Sequence, residues 1–230
     1  MVYAVLLSGG RGNRMGKDIP KQFIKINNKP LLAYCIEKIT KIDEFKNIII
    51  SSPEDYLNKT KKLVEEYFPH ENRIKVIIGG ETRQDTLMNS LKYINKIKKN
   101  KKAIVINHDA ARIFVSEDLI KNCIKYTKKY GASSPIIHST DVIIKTNKNK
   151  VTEIPNRYDL FHVQTPQGFE INEYVDLYQK LSQKEINSVH EIIRVYYLKN
   201  KEIHLFKGEK SNFKITTPID VKIAKAIIGE

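Results

Sequence analysis

Cysteine is nearly absent: Cys35 and Cys123 are the only two in 230 residues, and they have no CxxC spacing. A disulfide scaffold or a structural zinc site is not expected from so few. Long apolar runs are missing as well. No stretch approaches the ~20 residues that cross a bilayer. Residues 2–7 are apolar but too short for a signal peptide and have no basic leader, so the expected setting is cytoplasmic, without a membrane partner. Arginine is scarce, with seven among 40 basic residues. What remains is ordinary: 41% hydrophobic and 29% charged residues exclude a disordered or fibrous chain. A chain of this length can bury roughly 70–75% of its unfolded surface, as one domain over 1–230.

The formal charge of +14 raises the question of nucleic acid. The excess is lysine, spread along the chain in runs such as 96–102 and 145–150 that lack interleaved aromatics. Solvated lysine faces explain it, so no nucleic-acid partner is expected, and an anionic small molecule fits the same charge. Against this lysine background arginine marks places that need a planar fork. Arg11, Arg14, Arg83, Arg112 and Arg157 all sit among Gly, Asp, Pro or Gln clusters, whereas Arg73 and Arg194 have amphipathic surroundings and read as structural.

Short apolar runs alternate with helical periodicity. Strands are predicted over 2–7, 47–51, 74–78 and 103–107, with helices over 31–42, 53–68, 82–97 and 117–130 and an apolar stretch at 135–137. That alternation implies an α/β fold: a Rossmann-like, doubly wound, mostly parallel sheet. Between 139 and 169 the rhythm changes to short alternating segments, 141–146, 151–154 and 160–164, with no helix between them. An inserted antiparallel β-arm is expected there. A helical pair (171–181 and 184–199), a strand at 203–206 and a helix begun by Pro218 follow.

Ligands of open α/β sheets bind beyond the carboxyl ends of the strands. The unusual residues gather there, at 8–22, 79–86 and 108–112. The first loop reads Ser8-Gly9-Gly10-Arg11-Gly12-Asn13-Arg14-Met15-Gly16, then Pro20-Lys21-Gln22. It departs from GxGxxG at Met15, which argues against a nicotinamide-dependent dehydrogenase. It departs from the P-loop because Asp18 follows Gly16-Lys17. Its glycines let backbone N–H groups approach phosphate oxygens, and Arg14 and Lys21 supply two cationic clamps, which makes a polyphosphate cradle.

With GGETRQDT at 79–86, HDAAR at 108–112 and TPQGF at 165–169, the chain resembles the cytidylyltransferases that couple CTP to sugar-alcohol phosphates. These are the relatives of methylerythritol-phosphate and ribitol-5-phosphate cytidylyltransferases, and the motifs keep the family's order over residues 3–228. The resemblance implies that Leu7, Ser8, Gly9, Gly10 and Gly12 lie along CTP. Arg14 and Lys21 would stabilise charge at the α-phosphorus, with Lys214 near the reacting phosphates. Gly80, Glu81, Arg83 and Thr86 would meet cytosine and ribose. Asp109 would hold Mg²⁺, beside Ala110 and Arg112 on the acceptor side. Arg157 would reach from the arm of a homodimer into the partner's site, and Thr165 would position the acceptor or the arm. No nucleophilic side chain is needed for an in-line displacement, and His108 reads as structural.

The departures bear on the acceptor. Ser139-Thr140-Asp141-Val142 stands where methylerythritol-phosphate enzymes tend to carry Arg-Asp-Thr, and Ser188-Val189-His190-Glu191 stands where they tend to carry Thr-Asp-Glu-Ala. The stretch from Ile154 to Phe169 is more similar to the ribitol-phosphate branch. The expected acceptor is D-ribitol 5-phosphate, giving CDP-ribitol, with 2-C-methyl-D-erythritol 4-phosphate as the alternative.

Overall fold

The structure is a computed structural model that describes residues 1–9, 20–98 and 102–229. Its centre is a parallel sheet. β1 (Val2–Leu7) lies between β4 (Phe45–Ser52) and β6 (Ile104–Asp109), and β5 (Ile74–Ile78) flanks β4, all parallel. Beyond β6 come β11 (Gln167–Glu170), antiparallel to its neighbours, and then β7 (Ala132–His138), which also pairs with β10 (Phe161–Val163) and β12 (His204–Lys207). The two-residue strands β2 (Lys25–Ile26) and β3 (Lys29–Pro30) form a small hairpin.

Alternate residues of a strand face opposite sides, and β1 divides accordingly. Ala4 and Leu6 join one buried cluster, with α1 (Leu31–Thr40) and α4 (Glu117–Tyr130). Tyr3 and Val5 join the other, with α3 (Arg83–Ile97), α5 (Ile171–Gln179) and α7 (Ile192–Leu198). Cores on both faces explain why the parallel strands read as unbroken apolar runs. α2 (Leu57–Tyr67), α6 (Gln183–Asn187) and α8 (Pro218–Ile228) complete the helices among the described residues. The ends follow local chemistry. Thr82 and Asp85 form a capping box on α3, and Thr217 and Asp220 form one on α8 around Pro218. Gly131 ends α4 at φ 85°, a conformation that disfavours any side chain.

The mostly parallel sheet with inserted antiparallel strands is as expected, but four boundaries differ. The helix expected over 53–68 begins as a 3-10 turn, Glu54–Tyr56, because Pro53 is extended and α2 starts only at Leu57. The fourth strand runs on through His108 and Asp109. The second member of the helical pair breaks at Ser188–Glu191 into α6 and α7. The insertion, expected as one arm over 139–169, is split. β8 (Lys145–Asn147) and β9 (Lys150–Glu153) form a separate hairpin, while β10 and β11 return to the main sheet. The apolar stretch at 135–137 lies within β7, which offers β10 its edge.

Candidate active site

A cleft of about 900 Å³ opens beyond the carboxyl ends of β1, β5 and β6. It brings together, from distant parts of the chain, Leu7, Ser8, Gly9, Lys21, Gly80, Glu81, Arg83, Thr86, Asp109, Ala110 and Lys214. Gly10, Gly12 and Arg14 lie outside the described residues.

On the β1 side, Ser8 is pinned to β4: its N–H and its hydroxyl both donate to Ser51 O, at 3.1 and 2.8 Å. On the β5 side, Thr86 organises the loop. Its Oγ1 accepts from Gly80 N–H at 3.0 Å and donates to Thr82 O at 2.8 Å. A Cβ on Gly80 would collide with Asp85 and come within 2.8 Å of Thr86 N, so only glycine permits this close approach. The hydroxyl of Thr86 is thereby spent on shaping the loop.

Asp109 is the electrostatic centre, 5% exposed at the end of β6. Arg83 Nη2 donates to its Oδ1 at 3.0 Å, Lys214 Nζ lies 2.7 Å from Oδ2, and Arg112 Nε lies 3.8 Å from Oδ2. Burial alone would raise its pKa, but these three cations outweigh burial and hold the carboxyl below its usual range. Arg83 also donates to Glu191 Oε2 at 3.1 Å, in the segment that interrupts the α6–α7 pair. The Glu191 carboxyl is pushed up by burial, which exceeds the opposing pull of Arg83. Three cations thus face two carboxylates, leaving an excess of positive charge suited to phosphate.

The backbone beneath this cluster is fixed by His108 and Thr165. Asp109 N–H donates to Thr165 Oγ1 at 3.1 Å. Thr165 Oγ1 lies 3.1 Å from His108 Nδ1, and His108 Nε2 lies 3.0 Å from Arg112 O. A carbonyl can only accept, so Nε2 carries the proton and Nδ1 accepts from the threonine hydroxyl. Burial favours this neutral ring and lowers the His108 pKa to about 4. His108 therefore orders the Asp109–Arg112 turn.

Lys214 arrives by a different route. The segment from Glu209 to Thr216 contains no helix or strand, yet it is tied down at both ends. Asn212 Nδ2 donates to Thr165 O at 2.7 Å, Arg112 Nη1 donates to Asn212 O at 2.7 Å, and Ile215 N–H donates to Ala111 O at 2.9 Å. Arg112 thus links the Asp109 carboxylate to the segment that carries Lys214 and acts as a strut between them. Arg157 is not near this cluster: it lies in the exposed turn Arg157–Asp159, with its guanidinium 5.0 Å from the Tyr158 ring. Arg73, read as structural, donates to Thr40 O, Ile42 O and Glu71. Sequence reasoning missed Glu191 and Asn212 as site members. The departure at 188–191 marked the first, while no motif or periodicity marked the second.

A basic cleft of about 900 Å³ at the carboxyl edge of a parallel sheet, with a buried carboxylate among cations, suits a nucleotidyltransferase. A sequence model of the family 2-C-methyl-D-erythritol 4-phosphate cytidylyltransferase (IspD) matches residues 2–230, and the chain belongs to that family. It is a CTP-dependent cytidylyltransferase. Solved structures agree. The 2-C-methyl-D-erythritol 4-phosphate cytidylyltransferase of Francisella tularensis is 27% identical, with a TM-score of 0.81 over 98% of each chain. The 4-diphosphocytidyl-2C-methyl-D-erythritol synthase of Anaerococcus prevotii is 24% identical, with a TM-score of 0.83 over 100% of this chain and 96% of that one. The Thermus thermophilus cytidylyltransferase is 21% identical, with a TM-score of 0.76 and full coverage of both chains. At the two lower identities the likeness is one of fold.

Proposed function

We propose that this enzyme transfers the cytidylyl group of CTP to the phosphate of 2-C-methyl-D-erythritol 4-phosphate. The match of the IspD family over residues 2–230 carries this reading. It favours the methylerythritol alternative over D-ribitol 5-phosphate. The polar side chains behind the ribitol expectation are also engaged locally: Ser139 Oγ donates to Asp141 O at 3.1 Å and Ser188 Oγ to Glu185 O at 2.7 Å. From 188–191, Glu191 is the residue that reaches the cluster, and it does so through Arg83.

An oxygen of the acceptor phosphate attacks the α-phosphorus of CTP. The new O–P bond forms as the bond to the β-phosphate oxygen breaks, and pyrophosphate leaves with that electron pair. The acceptor phosphate is already ionised, so no general base is required. Lys21 and Arg14 hold the triphosphate, and Lys214 faces the reacting phosphates. Their work is positioning and charge stabilisation. The donor set fits Mg²⁺, since Asp109 offers one hard, ionised carboxylate and phosphate oxygens would supply further ligands. The ion would neutralise phosphate charge there, with Asp109 as its protein ligand, and Lys214 is placed to exchange Asp109 for phosphate.

Arg157 serves a second subunit in this reading. The arm around it exposes Val142 at 73%, Ile154 at 67% and Tyr158 at 68%, an apolar surface suited to a second copy of the chain. The family resemblance assigns that arm to a homodimer.

Pyrophosphate release measured side by side should give methylerythritol 4-phosphate a kcat/KM at least about tenfold above D-ribitol 5-phosphate, a gap of ~1.4 kcal/mol. A preference for ribitol phosphate would overturn the acceptor and leave the CTP half standing.

A further inference from the structure

Gln22 follows Lys21 in the 3-10 turn Lys21–Phe23 and contributes to the cleft wall. Its side chain is buried, at 3% exposure for the residue, yet among the described residues neither Nε2 nor Oε1 has a hydrogen-bond partner. Leaving a buried polar group unpaired forfeits its hydration with nothing in return, and a carboxamide presents two such groups.

The fold of the turn does not require that amide. Phe23 N–H donates to Pro20 O at 2.9 Å and Ile24 N–H to Lys21 O at 3.1 Å. Phe23 packs on Tyr56 at 5.5 Å between centroids and lies 4.6 Å below Lys59 Nζ. A glutamine that is buried, unpaired, dispensable for its own turn and placed on a nucleotide cleft is explained by a partner that arrives with the ligand.

We propose that Gln22 is a nucleotide-recognition residue whose carboxamide pairs with the nucleoside part of CTP. The inference rests on the CTP half of the proposed function and is independent of the acceptor. Phosphate oxygens only accept, so a phosphate would satisfy Nε2 and leave Oε1 orphaned. A ribose hydroxyl or the edge of cytosine offers both a donor and an acceptor and satisfies both ends.

The test is calorimetric titration of wild type and Gln22→Met with CTP, CMP and pyrophosphate, each with Mg²⁺, alongside thermal melts. Methionine keeps the length of the side chain and removes the two orphaned groups. The melting temperature should stay level or rise, while affinity for CTP and CMP falls at least about tenfold and affinity for pyrophosphate holds. In turnover, KM for CTP should rise with kcat within about twofold. Gln22→Asn, which keeps the amide but shortens its reach, should show the same selective loss and serves if the methionine variant folds poorly. Unchanged CTP and CMP affinity in a folded variant, or an equal loss for pyrophosphate, overturns the inference. Failure of the wild type to bind CTP would instead sink the CTP reading on which it stands.

Discussion

The Asp109 cluster and the turn at Arg157 are built on opposite principles. At Asp109 the charges are paired within one chain: a nearly buried carboxylate holds Arg83 and Lys214, and His108, Thr165 and Asn212 fix the backbone around it. At Arg157 the guanidinium sits on an exposed turn after the β8–β9 hairpin, bordered by apolar side chains facing solvent. The first arrangement is pre-organised by burial, where charge–charge interactions are strong. The second has no such burial, and under the proposed function a second copy of the chain covers it. Removing one piece from each shows which description holds.

The largest effect is expected at the buried cluster. Asp109→Asn removes the centre of the cation cluster and the candidate metal ligand, and kcat/KM should fall by about 10²–10³-fold. Wild-type turnover in that variant at limiting Mg²⁺ would refute the role of Asp109.

The arm is tested by complementation. Arg157→Ala and Lys21→Ala should each be nearly inactive alone. After subunit exchange half the dimers are mixed, and one of the two sites in each is intact, so activity should return to about a quarter of wild type. No recovery despite confirmed exchange would place both residues in one chain's site. Charging the apolar face, as in Val151→Asp with Ile154→Asp, should shift the sedimentation profile toward monomer.

His108 gives a smaller, pH-dependent effect on stability. Its folded pKa lies near 4, below the unfolded 6.5, so the unfolded chain binds the extra proton. Stability should therefore fall as pH drops from about 6.5 to about 4, by roughly 3 kcal/mol in all from this group. Urea midpoints across that range should flatten in His108→Asn, and an unchanged slope would contradict the buried neutral ring.

The smallest effect is expected at Glu191. Replacing it by glutamine leaves Arg83 with Asp109 as its one carboxylate partner, and a loss of about three- to tenfold in kcat/KM follows, with little change in melting temperature. A loss as large as that at Asp109 would make Glu191 a member of the reacting centre.

The sheet and its flanking helices were legible because their causes are local. Apolar runs with caps at Thr82, Ser116 and Thr217 fix strand and helix by period and hydrogen-bonding chemistry, wherever the segments end up. That Gly80 and Asp109 would line a cleft was legible because such residues at strand ends mark where open α/β sheets bind ligands. The division of the insertion was not legible, because whether β10 joins a hairpin or the main sheet depends on which edge is open, and β7 offers that edge. Nor were Glu191, Asn212 and the strut role of Arg112, since each acts on residues far away in sequence. Lys214 shows the division most sharply. Its sequence neighbours give it no helix or strand to ride on, and hydrogen bonds between remote segments, of Asn212 with Thr165 and Arg112 and of Ile215 with Ala111, bring its ammonium to Asp109. A position held by contacts between remote segments leaves no periodic trace in any one of them, so packing alone decided it.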